Sequence, residues 1–141
     1  GGGTVSNGVL VVTDRIDPAS ASEVASLSIG HLVLNGTNPV YACTVAGQTN
    51  DLVRVGGVLE VSSAGTIDLG RTAEDPLATP FRRTVMTFGT LDPTGAQTLS
   101  QWKVTGDGIA GKRYVRKVIV DRVNGRVDVD IRYNGTFFFI R

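Results

Sequence analysis

The sequence predicts an all-β fold, with a short parallel β-solenoid or a sandwich-like body followed by a C-terminal antiparallel meander. Gly is frequent, with 18 among 141 residues, and it separates short apolar segments as turn residues separate strands. Several of these segments alternate apolar and polar side chains, which is the pattern of a strand with one buried face. No segment has a convincing amphipathic helical pattern. We therefore expect one domain built from many short strands.

The C-terminal segment has the strongest strand pattern. Three segments there are rich in β-branched and aromatic residues: Arg113–Arg122, Arg126–Tyr133 and Thr136–Ile140. Asn124-Gly125 and Asn134-Gly135 separate them. Asn-Gly favours the tight type I′ hairpin turn, because both central residues of that turn have positive φ. The sequence therefore predicts three consecutive antiparallel strands.

The whole chain divides into four parts of different composition. These are a flexible lead (1–8), solenoid-like strands (9–70), a Pro-containing surface loop (71–80), and antiparallel strands with the meander (81–141). Within the last part, residues 91–97 are expected to form a turn and residues 99–105 a strand. The short strands of 9–70 bury little individually, so they need stacked neighbours or a facing sheet. Solenoid and sandwich both satisfy that need.

One repeated pattern resembles a known family. In Asp51–Val61 (DLVRVGGVLEV) an Asp precedes two alternating apolar segments joined by Gly-Gly, and Ser26–Gly70 repeats strands separated by Gly or Asn. This pattern resembles the autotransporter-associated β-strand repeats of β-helical bacterial surface proteins. The strands at Gln101–Thr105 and Tyr114–Asp121 are similar to the segments that end such passengers. The resemblance, which does not include a membrane barrel, implies a parallel solenoid and a bacterial cell-surface or extracellular location.

The sequence contains no convincing catalytic or metal-binding cluster. His31 is the single histidine and Cys43 the single cysteine, so the residue types of a zinc site or an intrachain disulfide are missing. Cys43 lies in an alternating strand, where we interpret it as a buried, unreactive thiol. We expect no enzyme activity and no cofactor.

Asp128 and Asp130 form the most suggestive pair of carboxylates. Residues at i and i+2 of a strand share one face, at a separation that glycosidases also use. Arg126 and Arg132 continue the same face, so we prefer cross-strand ion pairing as the interpretation. Val127, Val129 and Ile131 alternate with these charged residues. We therefore predict that the apolar face of the strand is buried and that the charged face is exposed to solvent.

The charge of the chain limits its partners. A net charge of +1 predicts no affinity for nucleic acid, and no apolar run is long enough to span a membrane. The distribution is uneven, with 8 Lys/Arg and 3 Asp/Glu from Lys112 onward and 6 and 10 before it. This asymmetry either favours head-to-tail contact between subunits or marks solvent-facing positions of edge strands.

Two functions are compatible with these features. The first is a secreted structural protein that forms a homo-oligomer or filament. A strand that is apolar on both faces is either buried on both faces or in contact with another chain. The last predicted strand has this composition, so the expected self-association interface is Phe137, Phe138, Phe139 and Ile140. The alternative is a carbohydrate- or surface-ligand-binding β-sandwich, whose aromatic platform would be Trp102, Tyr114 and Tyr133. For Trp102 itself, packing in the core is the interpretation that we prefer.

Overall fold

The structure is a computed structural model that describes residues 3–18, 24–46, 49–71, 81–106 and 114–133. In these ranges the chain forms twelve strands and one short helix, arranged in mixed parallel and antiparallel sheets, which confirms the all-β prediction. The strands are β1 (Gly3–Val12), β2 (Arg15–Ile16), β3 (Ser26–Leu34), β4 (Val40–Ala46), β5 (Thr49–Asn50), β6 (Leu52–Val55), β7 (Leu59–Val61), β8 (Thr66–Arg71), β9 (Phe81–Thr87), β10 (Lys103–Gly106), β11 (Tyr114–Asp121) and β12 (Arg126–Tyr133). The helix is α1 (Pro93–Ser100).

The strands form two sheets. The first has the order β1-β3-β6-β9-β12-β11, with β7 also pairing with β3, and the second has the order β10-β8-β4-β2, with β5 on β4. Strands β1, β3, β6, β7 and β9 pair in parallel in the first sheet, as do β2, β4, β8 and β10 in the second. We call these parallel strands together the parallel stack. Strands β11 and β12 form the hairpin, which is antiparallel and lies against β9.

The chain alternates between the two sheets as it builds the parallel stack. The chain passes from the first sheet to the second after β1, β3, β7 and β9. Each passage lies on the preceding one: Val40 pairs with Thr66, and Leu32 with Leu59. Alternating apolar residues such as Val53 and Val55 point inward because successive side chains of a strand take opposite faces. Side chains from both sheets join one buried hydrophobic cluster.

Three glycines stack at the bend of the first sheet. The Gly57 N–H donates to the Gly30 carbonyl at 2.8 Å, and the Gly89 N–H donates to the Gly57 carbonyl at 3.0 Å. A Cβ on Gly57 would lie 2.7 Å from the Gly30 oxygen, and one on Gly89 would lie 2.8 Å from the Gly57 oxygen. Glycine is needed here because of this close approach of backbones.

The helix is the main element that the sequence did not predict. Residues 91–97, expected as a turn, contain its start: Asp92 is the N-cap, its Oδ1 accepts from the Gly95 N–H at 2.7 Å, and Pro93 occupies the first turn. Helix α1 lies where the chain passes from the first sheet to the second. Earlier passages make the same crossing with short turns, from Val12 to Arg15 and from Val61 to Thr66.

A β-bulge lets β9 pair with different partners on its two sides. Val127 pairs with Met86 and Asp128 with Thr84, so Val85 is the additional residue. The buried Tyr41 hydroxyl donates to the Val85 carbonyl at 2.8 Å and satisfies the acceptor that the bulge removes from the ladder. The other side of β9 pairs in parallel with β6.

The hairpin confirms two of the three predicted C-terminal strands. Asp121 pairs with Arg126, so the connection has four residues, and the predicted two-residue type I′ turn is wrong; Gly125 nevertheless has a positive φ of 66°. The third predicted strand, Thr136–Ile140, lies outside the described residues. Strand β12 pairs with β11 on one edge and with β9 on the other.

Two predicted boundaries also differ from the structure. Strand β1 begins at Gly3 and pairs with β3 from its first residue, so most of the expected flexible lead is a strand. Strand β10 pairs in parallel with β8, so residues 81–141 are not uniformly antiparallel. Of the expected 71–80 loop, Arg71 ends β8 and the remainder lies outside the described residues.

Candidate functional site

The predicted aromatic platform does not form an open surface at Trp102. The residue is 4% exposed, and its Nε1 donates to the Ser63 carbonyl at 3.0 Å. A Cβ on Gly65 would lie 2.6 Å from the ring, so the indole fills the space that this glycine leaves. Packing therefore accounts for Trp102. Tyr114 and Tyr133 are directly paired across the hairpin, but their side chains are outside what the structure describes.

The predicted self-association residues Phe137, Phe138, Phe139 and Ile140 lie outside the described residues.

Cys43 is buried, as its alternating strand predicted. It is 1% exposed, and burial raises the pKa of its thiol to about 12. The neighbouring Tyr41 is also buried, and burial raises the pKa of its phenol well above the usual value. A thiol that stays protonated at neutral pH is a poor nucleophile. These two side chains contribute to packing and not to covalent chemistry.

Asp51 is a completely buried carboxylate that joins three segments of the parallel stack. Oδ1 accepts from the Ala25 N–H at 2.8 Å, and Oδ2 accepts from the Thr44 N–H at 3.0 Å. Burial raises the pKa of this carboxyl, and the two backbone donors oppose that rise. Both oxygens are satisfied by backbone groups, so Asp51 is a structural residue.

The charged face of β12, which carries Asp128 and Asp130, has a network of carboxylates and arginines. Asp128 accepts from Arg82 Nε at 2.8 Å and from the Thr84 hydroxyl at 2.7 Å, which confirms cross-strand ion pairing with a partner on β9. Arg126 and Arg132 pair along the same strand: Arg126 Nε lies 3.8 Å from Asp128, and Arg132 Nε lies 2.8 Å from Asp130.

The charged face of β12 is less exposed to solvent than the alternating sequence pattern predicted. Asp128 is 4% exposed and Asp130 8% exposed, although the opposite face of the strand is also buried. The expectation of a solvent-facing side is therefore wrong at these two residues. Their oxygens are engaged by arginines and a threonine, apart from Asp130 Oδ1, which is buried without a partner. Engaged carboxylates of this kind give no free acid and base for hydrolysis.

The surface of the described residues includes a small hollow and a larger groove. A hollow of about 200 Å³ is lined by Val115, Lys117, Asp130 and Arg132. A larger groove of about 430 Å³ runs beside α1 and includes side chains that carry oxygen atoms, among them Asn35, Glu60, Ser62, Asp92 and Thr98. Its two carboxylates already have partners, since Asp92 caps α1 and Glu60 is paired with His31 at 2.5 Å.

Metal-ligand clusters and membrane-spanning helices are both absent from the described ranges. No group of three or more His, Cys, Asp or Glu residues there is close enough to hold a metal ion. Within the same ranges, no helix has the length and apolar character needed to cross a bilayer.

The open edge of β1 is the candidate interaction site. Within the described part of the chain, β1 is an end strand of the first sheet, and it contains neither charged residues nor proline over Gly3–Val12. Its outward side chains Val9 and Val11 are 60% and 53% exposed. Natural edge strands usually carry charges, proline or bulges that block further pairing. The register of β1 is irregular between Val5 and Val9, so the regular part of this open edge beyond the irregularity is Val9–Val12. The four consecutive apolar residues from Val9 to Val12 were the sequence signal for this edge.

Comparison of the chain with protein-family models, with curated proteins and with solved structures finds no match. Any functional assignment therefore depends on the residues and geometry described above.

Proposed function

We propose that this protein is a non-enzymatic, extracellular structural protein of β-solenoid type that associates with copies of itself. The observation that carries the proposal is the open, uncharged edge of β1 with Val9 and Val11 exposed beside it. Such an edge presents unpaired backbone groups together with apolar surface, and both are satisfied by another strand.

The pairing pattern supports the solenoid part of the proposal. Successive passages of the chain lie in parallel on one another in both sheets, as when Val40 pairs with Thr66 and Lys103 with Thr66 on its other side. The stacked glycines Gly30, Gly57 and Gly89 recur once per passage at the same bend. Recurrence of one backbone contact in successive passages is typical of solenoids, whose end units need a cap or a partner.

The reactive and charged side chains described above are buried or hydrogen-bonded, which supports a non-enzymatic role. Cys43 is buried, Asp51 is bonded to backbone groups, and Asp128 is held by Arg82 and Thr84. An extracellular location is supported by the resemblance of Asp51–Val61 to β-helical surface proteins.

The test is the oligomeric state of the purified full chain over a concentration series. We expect light scattering with size-exclusion chromatography to show defined oligomers at micromolar concentration, and negative-stain electron microscopy to show whether they extend into filaments. A monodisperse monomer at the highest concentration would overturn the proposal.

A second candidate function is binding of a carbohydrate, and the groove beside α1 favours it. Its volume of about 430 Å³ and its amide, hydroxyl and carboxylate oxygens suit the hydroxyl groups of a sugar. A glycan array probed with the full chain tests this function, and a binder should lose its signal in Thr98→Lys, which fills the groove. An array without hits excludes it.

A further inference from the structure

We infer that the assembly is a two-fold symmetric dimer in which the β1 edges of two copies pair antiparallel. This inference rests on the proposed self-association and specifies its symmetry and contact surface. A contact between identical surfaces closes after two subunits, whereas a contact between different surfaces continues into rings or filaments. The choice between them depends on how many adhesive edges one subunit has.

The two ends of the first sheet differ in their protection. Strand β1 has no charge along its ten residues, but β11 at the opposite end carries Arg116, Lys117 and Asp121. Charged side chains on an edge strand disfavour pairing with another strand, because pairing would remove them from water. The end strands of the second sheet, β2 and β10, are short and each begins with a charged residue, Arg15 and Lys103. One adhesive edge therefore remains among the described residues.

The alternation of β1 restricts the register of the pairing, and we choose the register that is symmetric about Leu10. Val9 and Val11 face outward, while Leu10 packs against the core cluster and Val12 is buried. Directly opposed residues of an antiparallel pair lie on the same face, so Leu10 must oppose an inward residue. Placing Leu10 on the two-fold axis puts Val9 opposite Val11 of the partner subunit. The four valines then form one apolar patch on the outer face, and the two Leu10 side chains continue the inner core.

The first experiment compares matched valine-to-lysine substitutions by sedimentation equilibrium of the full chain. Val9→Lys/Val11→Lys should raise the dimer dissociation constant at least about tenfold, because two lysines from each copy would meet at the pairing edge. Val123→Lys is the control, since Val123 is 93% exposed in the loop of the hairpin, and it should leave the dimer unchanged. Circular dichroism checks that each variant is folded.

The second experiment tests the register without adding charge. Oxidising an equal mixture of Val9→Cys and Val11→Cys proteins should give a disulfide-linked heterodimer, because these positions oppose each other at a Cα separation of about 4.5–5.5 Å. Each protein oxidised alone should give little dimer. The native Cys43 does not interfere because it is buried.

The outcomes separate this inference from the proposed function. Filaments or oligomers larger than two overturn the β1–β1 dimer but leave self-association standing. A dimer that Val9→Lys/Val11→Lys does not weaken also overturns the inference alone. A wild-type monomer overturns both.

Discussion

The parallel stack and the hairpin use the same side chain, aspartate, in two different ways. In the stack, Asp51 is fully buried and accepts from two backbone N–H groups that belong to separate segments. In the hairpin, Asp128 is also buried but accepts from the side chains of Arg82 and Thr84 on the neighbouring strand. The first arrangement joins backbone segments, and the second joins two strands through side chains.

This difference follows from how the strands are connected. Parallel strands need a crossing between them, and the ends of those crossings leave backbone N–H groups that no ladder partner satisfies. A buried carboxylate can satisfy two of them at once. Antiparallel strands satisfy their backbone directly in the ladder, so the polar side chains of β12 are available to fix its register against its antiparallel neighbour β9. We therefore expect the stability of the stack to depend strongly on single buried polar groups. The stability of the hairpin should instead be shared among several side-chain pairs.

The largest expected effect is from removing the carboxylate of the stack. Asp51→Ala removes the acceptor of the buried Thr44 N–H and of the half-buried Ala25 N–H, and we expect the free energy of unfolding to fall by about 3 kcal/mol in urea denaturation. Asp51→Asn keeps one acceptor oxygen and should lose about half as much. A loss below about 1 kcal/mol for Asp51→Ala would show that the two bonds do not hold the segments together.

A smaller effect is expected from adding one methyl group at the stacked glycines. Gly57→Ala places a Cβ 2.7 Å from the Gly30 carbonyl oxygen, and the resulting backbone shift should cost about 2 kcal/mol in thermal or urea unfolding. Gly70→Ala is the matched control in the same stack, because a Cβ there meets nothing within 4 Å. Gly70→Ala should be neutral or slightly stabilising, and equal losses in the two variants would contradict the close-contact argument.

The hairpin should respond less to loss of its buried carboxylate. Asp128→Ala removes two side-chain bonds, but the Arg82 side chain is 40% exposed and can be hydrated in the variant. We expect a loss of about 1–2 kcal/mol, which shrinks in 1 M NaCl because salt screens the ion pair in the wild type. The effect of Asp51→Ala should not change with salt. Equal magnitude and equal salt response in both variants would remove the distinction between the two regions.

The smallest expected effect appears at alkaline pH and belongs to the stack. Burial raises the pKa of Cys43 from 9.0 to about 12, so the folded state holds its proton more tightly than the unfolded chain does. Stability from this group is complete below pH 9 and is lost as the pH rises toward 12. At pH 10 the loss should be about 1 kcal/mol, measured by urea unfolding at a series of pH values. In Cys43→Ala, the contribution of Cys43 to the fall of the unfolding free energy with pH should disappear, while the contribution of Tyr41 remains.

Much of the fold could be predicted from local pattern. The strands at Leu52–Val55, Leu59–Val61 and Arg126–Tyr133 follow alternation or β-branched composition, which are local properties. The missed helix had a local signal as well, since Asp92 followed by Pro93 is typical of an N-cap and first turn. Its apolar face is short, with Leu99 as its one large buried side chain, so periodicity did not reveal it.

The candidate site was less predictable because it depends on long-range pairing. That β1 is an end strand, and that both edges of β12 are occupied, follows from partners far away in the chain. The partner of Asp128 shows the same limit, because Arg82 is brought to it by the pairing of β9 with β12 and not by sequence proximity. The Val9–Val12 segment was visible as an apolar strand, but its exposure was not.

The crossing from the first sheet to the second varies widely in length. The chain makes it with two residues between Val12 and Arg15, with four between Val61 and Thr66, and with a helix between Leu91 and Lys103. The strands on either side keep their parallel register in every case. This corner of the molecule is therefore a suitable position for grafting a foreign peptide, such as an epitope or an affinity tag, without disturbing the scaffold that displays it.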